Sequence, residues 1–153
     1  MKYNPVGVGE IELDTIILDL NGTLAIDGEL VEGVIPRINK LRELGFKIYL
    51  FTGDQRGTAS QQAAELGIEL MFAKTTAEKA ECAKKCNFET TIAIGNARID
   101  IGTFENAKIK IATLQKEGIH AAIIKHVDII VPSINDALDL LINPDSFNAT
   151  MRL

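Results

Sequence analysis

The chain has 153 residues, enough for one domain and for burial of roughly 70% of the unfolded surface. Its 46% hydrophobic and 24% charged residues are those of an ordinary globular protein. A formal net charge of -5 with no basic stripe excludes an electrostatic nucleic-acid binder. Apolar runs too short to span a bilayer, and a first stretch without a signal-peptide core, give the expectation of a cytoplasmic chain with no membrane partner.

In chain order, short β-branched runs alternate with helical stretches. "TIILDL" reads as a strand, and "LAIDGELV" around Asp27-Gly28 as a hairpin. "VIPRINKLREL" is the first predicted helix, followed by the strand "KIYLFT" and a helix over "RGTASQQAAEL". Gly45 and Gly67 stand where left-handed helix caps are expected. The strand "IELMFA", the helix "TAEKAECAKKC" and the strand "TTIAIG" come next, then a short helix near 100–106. "AKIKIA", "HAAIIK" and "VDIIVP" read as three further strands, and "SINDALDLLI" as the last helix. The reading is a single domain over 1–153, with 143–153 as a C-terminal tail after Pro144 ends that helix. Cys82 and Cys86 have no partners at metal spacing and read as reduced boundary residues. His120 and His126 read as ordinary surface or boundary histidines.

Apolar strands joined by helices indicate an α/β, doubly wound, mostly parallel sheet covered on both faces. In such sheets ligands bind at the carboxyl ends of the strands, near the point where strand order reverses. The polar strand ends are Asp19, then Thr52 with Gly53 and Asp54, then Gly95 with Asn96. A carboxylate such as Asp19 can serve as nucleophile, metal ligand or base. Gly22 and Thr23 allow a tight turn with donors for an anion, and Thr52 with Gly53 before a helix form a second cradle. Asn96 and Asp100, four apart, offer oxygens of the kind Mg²⁺ takes together with phosphate. Lys79 can supply the positive charge that phosphoryl transfer requires.

These four pieces, "ILDLNGTL", "IYLFTGD", Lys79 in "TAEKAE" and "IAIGNARID", resemble in order the four motifs of the haloacid dehalogenase superfamily. "LFTGDQRGTASQQAAELGI" further resembles the phosphorylation domain of P-type ATPases, so the chain looks most like small soluble members of that kind. The resemblance implies a Rossmann-like fold with only a hairpin flap as cap, and a Mg²⁺-dependent phosphatase acting through an aspartyl-phosphate. It implies Asp19 as nucleophile and metal ligand, with the Asn21 carbonyl and Asp100 on Mg²⁺, and Asn96 at the first metal-loop position. Thr52 and Lys79 would bind the phosphoryl group, Lys79 fitting the motif better than Lys74. The substrate would be a phosphorylated small molecule or protein. A neighbouring subunit can act as lid in capless members, which makes a homo-oligomer an expectation.

Two amides depart from the pattern. Asn21 stands where superfamily phosphatases carry a general acid/base, and Asn96 where they carry a metal-loop acid. The first cannot move a proton and the second removes a formal charge, so the expected enzyme is slow. The alternatives are a catalytically weak phosphate-binding or regulatory protein, and a capless sugar-acid phosphatase.

Overall fold

The computed structural model describes residues 1–54 and 57–153. Arg56, at the start of the second predicted helix, lies outside the described residues. The chain opens with β1 (Lys2–Tyr3) and β2 (Ile11–Glu12), an antiparallel pair, and enters the main sheet with β3 (Thr15–Asp19). The hairpin β4 (Ala25–Ile26) and β5 (Glu29–Leu30) follows, then α1 (Val34–Glu43), β6 (Lys47–Thr52), α2 (Thr58–Leu66) and β7 (Glu69–Phe72). Next come α3 (Thr76–Ala83), β8 (Thr91–Gly95), α4 (Ile101–Phe104) and β9 (Ile109–Thr113). The last elements are β10 (Ile129–Val131), α5 (Ile134–Ile142) and α6 (Pro144–Met151).

Six strands form one parallel sheet in the order β10-β9-β8-β3-β6-β7. Order reverses at β3, which is flanked by β6 and β8, so the crevice that this topology creates lies at the end of β3. All five residues of β3 are buried, as a central parallel strand requires. Ile16 and Leu18 face the larger core, which also holds Ile38 and Leu41 of α1 and Leu138 and Leu141 of α5. Ile17 faces the other side and packs with Phe51 and with Ala83 of α3. Strand side chains alternate, so Asp19 points to the same side as Ile17, under α3. Lys79 and Ala83 are four apart on α3 and share a helix face, and Ala83 meets Ile17 while Lys79 reaches Asp19. The core register therefore aims the lysine.

The hairpin forms as predicted: Asp27 and Gly28 have φ of 53° and 85°, the pair of positive values that a two-residue turn between antiparallel strands favours. Left-handed glycines follow α1 and α2 as expected, Gly45 at φ 96° and Gly67 at φ 65°.

Two expectations are corrected. "HAAIIK" is no strand: 121–126 form a 3₁₀ segment, opened by His120, whose Nδ1 accepts from the Ala122 N–H at 3.1 Å. β10 pairs directly with β9, which leaves no place for another strand between them. The segment 143–153 is no loose tail. Pro144 does end α5, but with Asn143 as cap it also starts α6, where proline's missing N–H costs nothing. Phe147 of α6 is fully buried, its ring centroid 4.3 Å from that of Tyr3, and the Tyr3 hydroxyl donates to the Leu141 carbonyl at 2.7 Å.

The docking of α6 gives a stability prediction. Phe147→Ala should destabilise the protein by about 3–5 kcal/mol, the usual loss for a large buried aromatic ring, with the effect read as a lower urea midpoint. A change below about 1 kcal/mol would mean that α6 is held by its caps and not by Phe147.

Candidate active site

The centre of the site is Lys79. Its ammonium is fully buried and donates to Asp19 Oδ1 at 2.7 Å and to Asp100 Oδ1 at 2.6 Å. Asp100 is fixed at its other oxygen, Oδ2, which accepts from the N–H groups of Asn96 at 3.0 Å and Ala97 at 2.9 Å. Two glycines make this approach possible. A Cβ on Gly95 would lie 2.5 Å from Asp100 Oδ2, and one on Gly102 only 2.0 Å from the Thr76 carbonyl oxygen at the start of α3. The missing side chains let the loop after β8 fold back, and let α4 pack against α3.

The charges respond to this burial. Desolvation, with the Asp100 carboxylate close by, pushes the Asp19 carboxyl up to about 7, against the pull of the Lys79 ammonium. Burial opposes the Lys79 charge too, but the attraction and hydrogen bonds of the two carboxylates outweigh it and hold its pKa above the ordinary lysine value. The lysine stays charged.

A cavity of about 860 Å³ opens in front of Asp19, lined among others by Asn21, Thr52, Gly53, Asp54 and Lys74. Thr52 Oγ1 accepts from the Asp54 N–H at 3.1 Å, which leaves the hydroxyl proton as a donor. The flap closes one edge of the cavity: the buried Gln62 of α2 donates from Nε2 to the Gly28 carbonyl at 3.0 Å. Asp19, Asn21, Thr52, Gly53, Lys79 and Asp100 thus come together at one place, as the sequence reading expects. Lys74 lies at the rim, and its backbone N–H donates to the Glu78 carboxylate at 2.5 Å.

Two residues take other roles than expected, and Asn96 has a structural role beside the one expected of it. The Gly22 N–H donates to the Ala25 carbonyl at 2.8 Å and the Thr23 N–H to the Leu20 carbonyl at 3.2 Å. The Thr23 hydroxyl faces Asn96 Oδ1 at 3.4 Å. These donors are consumed inside the turn, so Gly22 and Thr23 shape it and do not present those groups to an anion. Asn96 is buried, and its Nδ2 donates to the Gly118 carbonyl at 3.0 Å. Its amide ties three segments together.

The donor set suits a hard divalent cation. Two carboxylates, a backbone carbonyl at Asn21 and the Asn96 amide offer only oxygens, and Mg²⁺ keeps several waters and needs few protein ligands. Among the described residues no three His, Cys, Asp or Glu side chains gather as a metal cage. Sequence reasoning missed Gln62, Gln115 and Glu117. Gln62 and Glu117 line the cavity, and Gln115 is bonded to the Gly22–Thr23 turn after β3. None stands in a local motif, and only the tertiary fold brings them here.

Among the described residues no helix is long and apolar enough to cross a membrane. A family model described as a haloacid dehalogenase-like hydrolase matches residues 7–108. The chain is 23% identical over 133 residues, 84% of its length, to a soluble P-type ATPase-like phosphatase of Methanocaldococcus jannaschii. It spans about half (49%) of that relative's length. A 3-deoxy-D-manno-octulosonate 8-phosphate phosphatase of Moraxella catarrhalis, solved with magnesium, phosphate and KDO, superposes at TM-score 0.69 with 17% identity, over 92% of this chain and 94% of that one. A phosphoserine phosphatase solved as a phospho-aspartyl intermediate analogue superposes at 0.71 with 15% identity, over 84% and 98%. At these identities the two structures show a shared fold.

A raised carboxyl pKa is also a statement about stability. Between the unfolded value near 3.8 and the folded value of about 7, the folded state holds the Asp19 proton more tightly than the unfolded chain does. Stability from this group is therefore full at low pH and is lost as pH rises through that window. Compared with Asp19→Asn, the metal-free wild type should lose a few kcal/mol, to order of magnitude, between about pH 4 and pH 7. Urea titrations of both proteins with a chelator present would show it. A wild-type stability that stays flat or rises relative to Asp19→Asn over this range would mean that the folded Asp19 carboxyl is ionised throughout.

Proposed function

Because this chain belongs to the haloacid dehalogenase-like hydrolases, we propose that it is a Mg²⁺-dependent phosphatase that works through an aspartyl-phosphate on Asp19. One observation carries the reading: a carboxylate at the end of the central strand, held at 2.7 Å by a buried lysine, faces a polar cavity. Hydrolases of this fold solved with magnesium and phosphate, and as a phospho-aspartyl analogue, support it by likeness of fold.

The roles of the chain's own groups follow from their positions. An Asp19 oxygen attacks phosphorus in line, the P–O bond to the leaving group breaks, and the electron pair leaves with that oxygen. Lys79 and the Thr52 hydroxyl stabilise the charge that spreads over the phosphoryl oxygens. The Lys79 ammonium also offsets the repulsion between the carboxylate and the incoming anion. In the second half, water attacks phosphorus, releases inorganic phosphate and restores the Asp19 carboxylate. Asp19, the Asn21 carbonyl, Asp100 and the Asn96 oxygen are the groups that would hold Mg²⁺, which supplies charge neutralisation for the phosphate.

Asn21 sets the rate. An amide can neither protonate the leaving oxygen nor deprotonate the attacking water, and general acid–base help is typically worth about 10²–10⁴-fold. The leaving group must take its proton from solvent. We therefore infer a slow enzyme that favours good leaving groups and holds its phosphorylated form longer than one with an acid at this position.

Steady-state assays on a panel of phosphate esters test this directly. Mg²⁺-dependent turnover should be measurable with an aryl phosphate and absent in Asp19→Asn. No Mg²⁺-dependent turnover on any ester would favour the phosphate-binding, regulatory reading.

The role of Asn21 gives a separate prediction. Asn21→Asp is close to isosteric and should raise hydrolysis by at least about tenfold, most with poor alkyl leaving groups. A rate unchanged or lower for every leaving group, at saturating Mg²⁺ and with the fold intact, would show that Asn21 is not an absent proton donor.

A further inference from the structure

Gln115 lies in the loop after β9, more than ninety residues from the catalytic turn, and belongs to none of the motifs. Its φ is 39°, one of two positive values among described residues other than glycine. Both lie in turns, Asp27 in the hairpin and Gln115 in a turn closed by the Gly118 N–H on the Leu114 carbonyl at 2.7 Å. The left-handed region suits aspartate better than glutamine. A left-handed glutamine is costly and persists only where its surroundings over-determine it; such residues gather at working sites.

Gln115 is held at every polar group of its side chain. Nε2 donates to the Gly22 carbonyl at 2.9 Å and to the Thr23 carbonyl at 2.7 Å, which uses both of its hydrogens. Oε1 accepts from the Ile134 N–H, in the first turn of α5, at 3.2 Å. Its own backbone N–H donates to the Pro132 carbonyl at 2.7 Å. The strain at Gln115 thus aims one amide at two consecutive carbonyls of the turn that carries Asp19.

Its neighbours act on the same structure. Lys116 pairs with Asp27 at the tip of the flap. Glu117 reaches the open side of Gly22, where an added Cβ would lie 2.5 Å from Glu117 Oε2 and 2.5 Å from Asn96 Nδ2. The loop is built around the turn and the flap.

We propose that Gln115 is a positioning residue for phosphoryl transfer. Peptide units are planar, so fixing the Gly22 and Thr23 carbonyls fixes the two peptide planes that follow Gly22. The Gly22 N–H is held by Ala25, so the chain on either side of Gly22 is pinned. Asn21, directly before it, then keeps its carbonyl oriented beside Asp19. A misplacement of about 1 Å at such a site can cost about 10²-fold in rate. The inference rests on the phosphatase reading above and adds a residue outside the four motifs to it.

Two substitutions separate positioning from mere stability. Gln115→Gly removes the side chain at a φ that glycine adopts freely, so the backbone relaxes and the protein folds. Gln115→Glu keeps an acceptor for Ile134 and loses both donors to the turn. Tyr3→Phe, which removes a buried hydrogen bond at the far end of the domain, is the control for destabilisation.

Each variant is assayed with Mg²⁺ and an aryl phosphate well below its own Tm. Both Gln115 variants should lose at least about tenfold in kcat with KM within about threefold of wild type, while Tyr3→Phe keeps the wild-type kcat. Amide exchange at Gly22, Thr23 and Ala25 should be at least tenfold faster in both Gln115 variants and unchanged in Tyr3→Phe. Wild-type kcat in the Gln115 variants, unchanged exchange at these amides, or an equal loss of kcat in Tyr3→Phe would each overturn the proposal. A wild type without Asp19-dependent turnover would sink the phosphatase reading itself and this inference with it, whereas a fully active Gln115→Gly sinks this inference alone.

Discussion

One ammonium between two buried carboxylates organises this molecule. Taking three charges out of water is expensive, and a buried ion pair returns little net stability compared with apolar packing. The arrangement nevertheless fixes much around it. α3 must run over the end of β3 in the register that places Lys79 above Asp19 while Ala83 packs on Ile17. α4 must come close enough for Gly102 to touch the Thr76 carbonyl, and the loop after β8 must turn its N–H groups onto Asp100. Such an investment is understandable where the cluster does chemistry.

The two amides that break the superfamily pattern have different physical standing. Asn96 is a working amide: its Nδ2 donates to the Gly118 carbonyl, a bond that an ionised aspartate could not make. The loop carrying Gln115, Lys116 and Glu117 is thereby tied to the loop after β8, and the lost charge is matched by a structural gain. Asn21 is exposed and lines the cavity. On the proposed mechanism its consequences are therefore chemical.

Much of this was legible in the sequence. Apolar runs that end in Asp19, Thr52 and Gly95 announced the parallel strands and their functional ends, and Asp27-Gly28 announced the flap. The preference for Lys79 over Lys74 rests on the motif resemblance, and α3 presents Lys79 to Asp19 because helix periodicity links it to the core residue Ala83. The errors have the opposite character. "HAAIIK" has strand composition, but the edge of the sheet beside β9 was already taken by β10, a fact that no local window contains. The last eleven residues look polar and proline-broken, yet one ring, Phe147, finds Tyr3 at the other end of the chain. Gln115 was invisible for the same reason: its partners, Gly22 and Thr23, are 93 and 92 residues away.

Charge counting joins the electrostatics to the proposed mechanism. With Asp19 and Asp100 ionised and Lys79 protonated, this buried cluster carries one net negative charge. Acids in place of Asn21 and Asn96 would add two more. A dianionic phosphate entering a partly desolvated site meets correspondingly less repulsion here, since unit charges interact more strongly the less water screens them. On the proposed mechanism the same deficit would weaken the hold on a divalent cation and leave both half-reactions without a proton carrier. On the proposed mechanism, both amides therefore shift the balance in one direction. Entry of the phosphate is eased, attack by Asp19 depends on a leaving group that needs no proton from the site, and breakdown of the aspartyl-phosphate by water is slowed. With a good leaving group, a site that works by the proposed mechanism would be phosphorylated more readily than it is cleared.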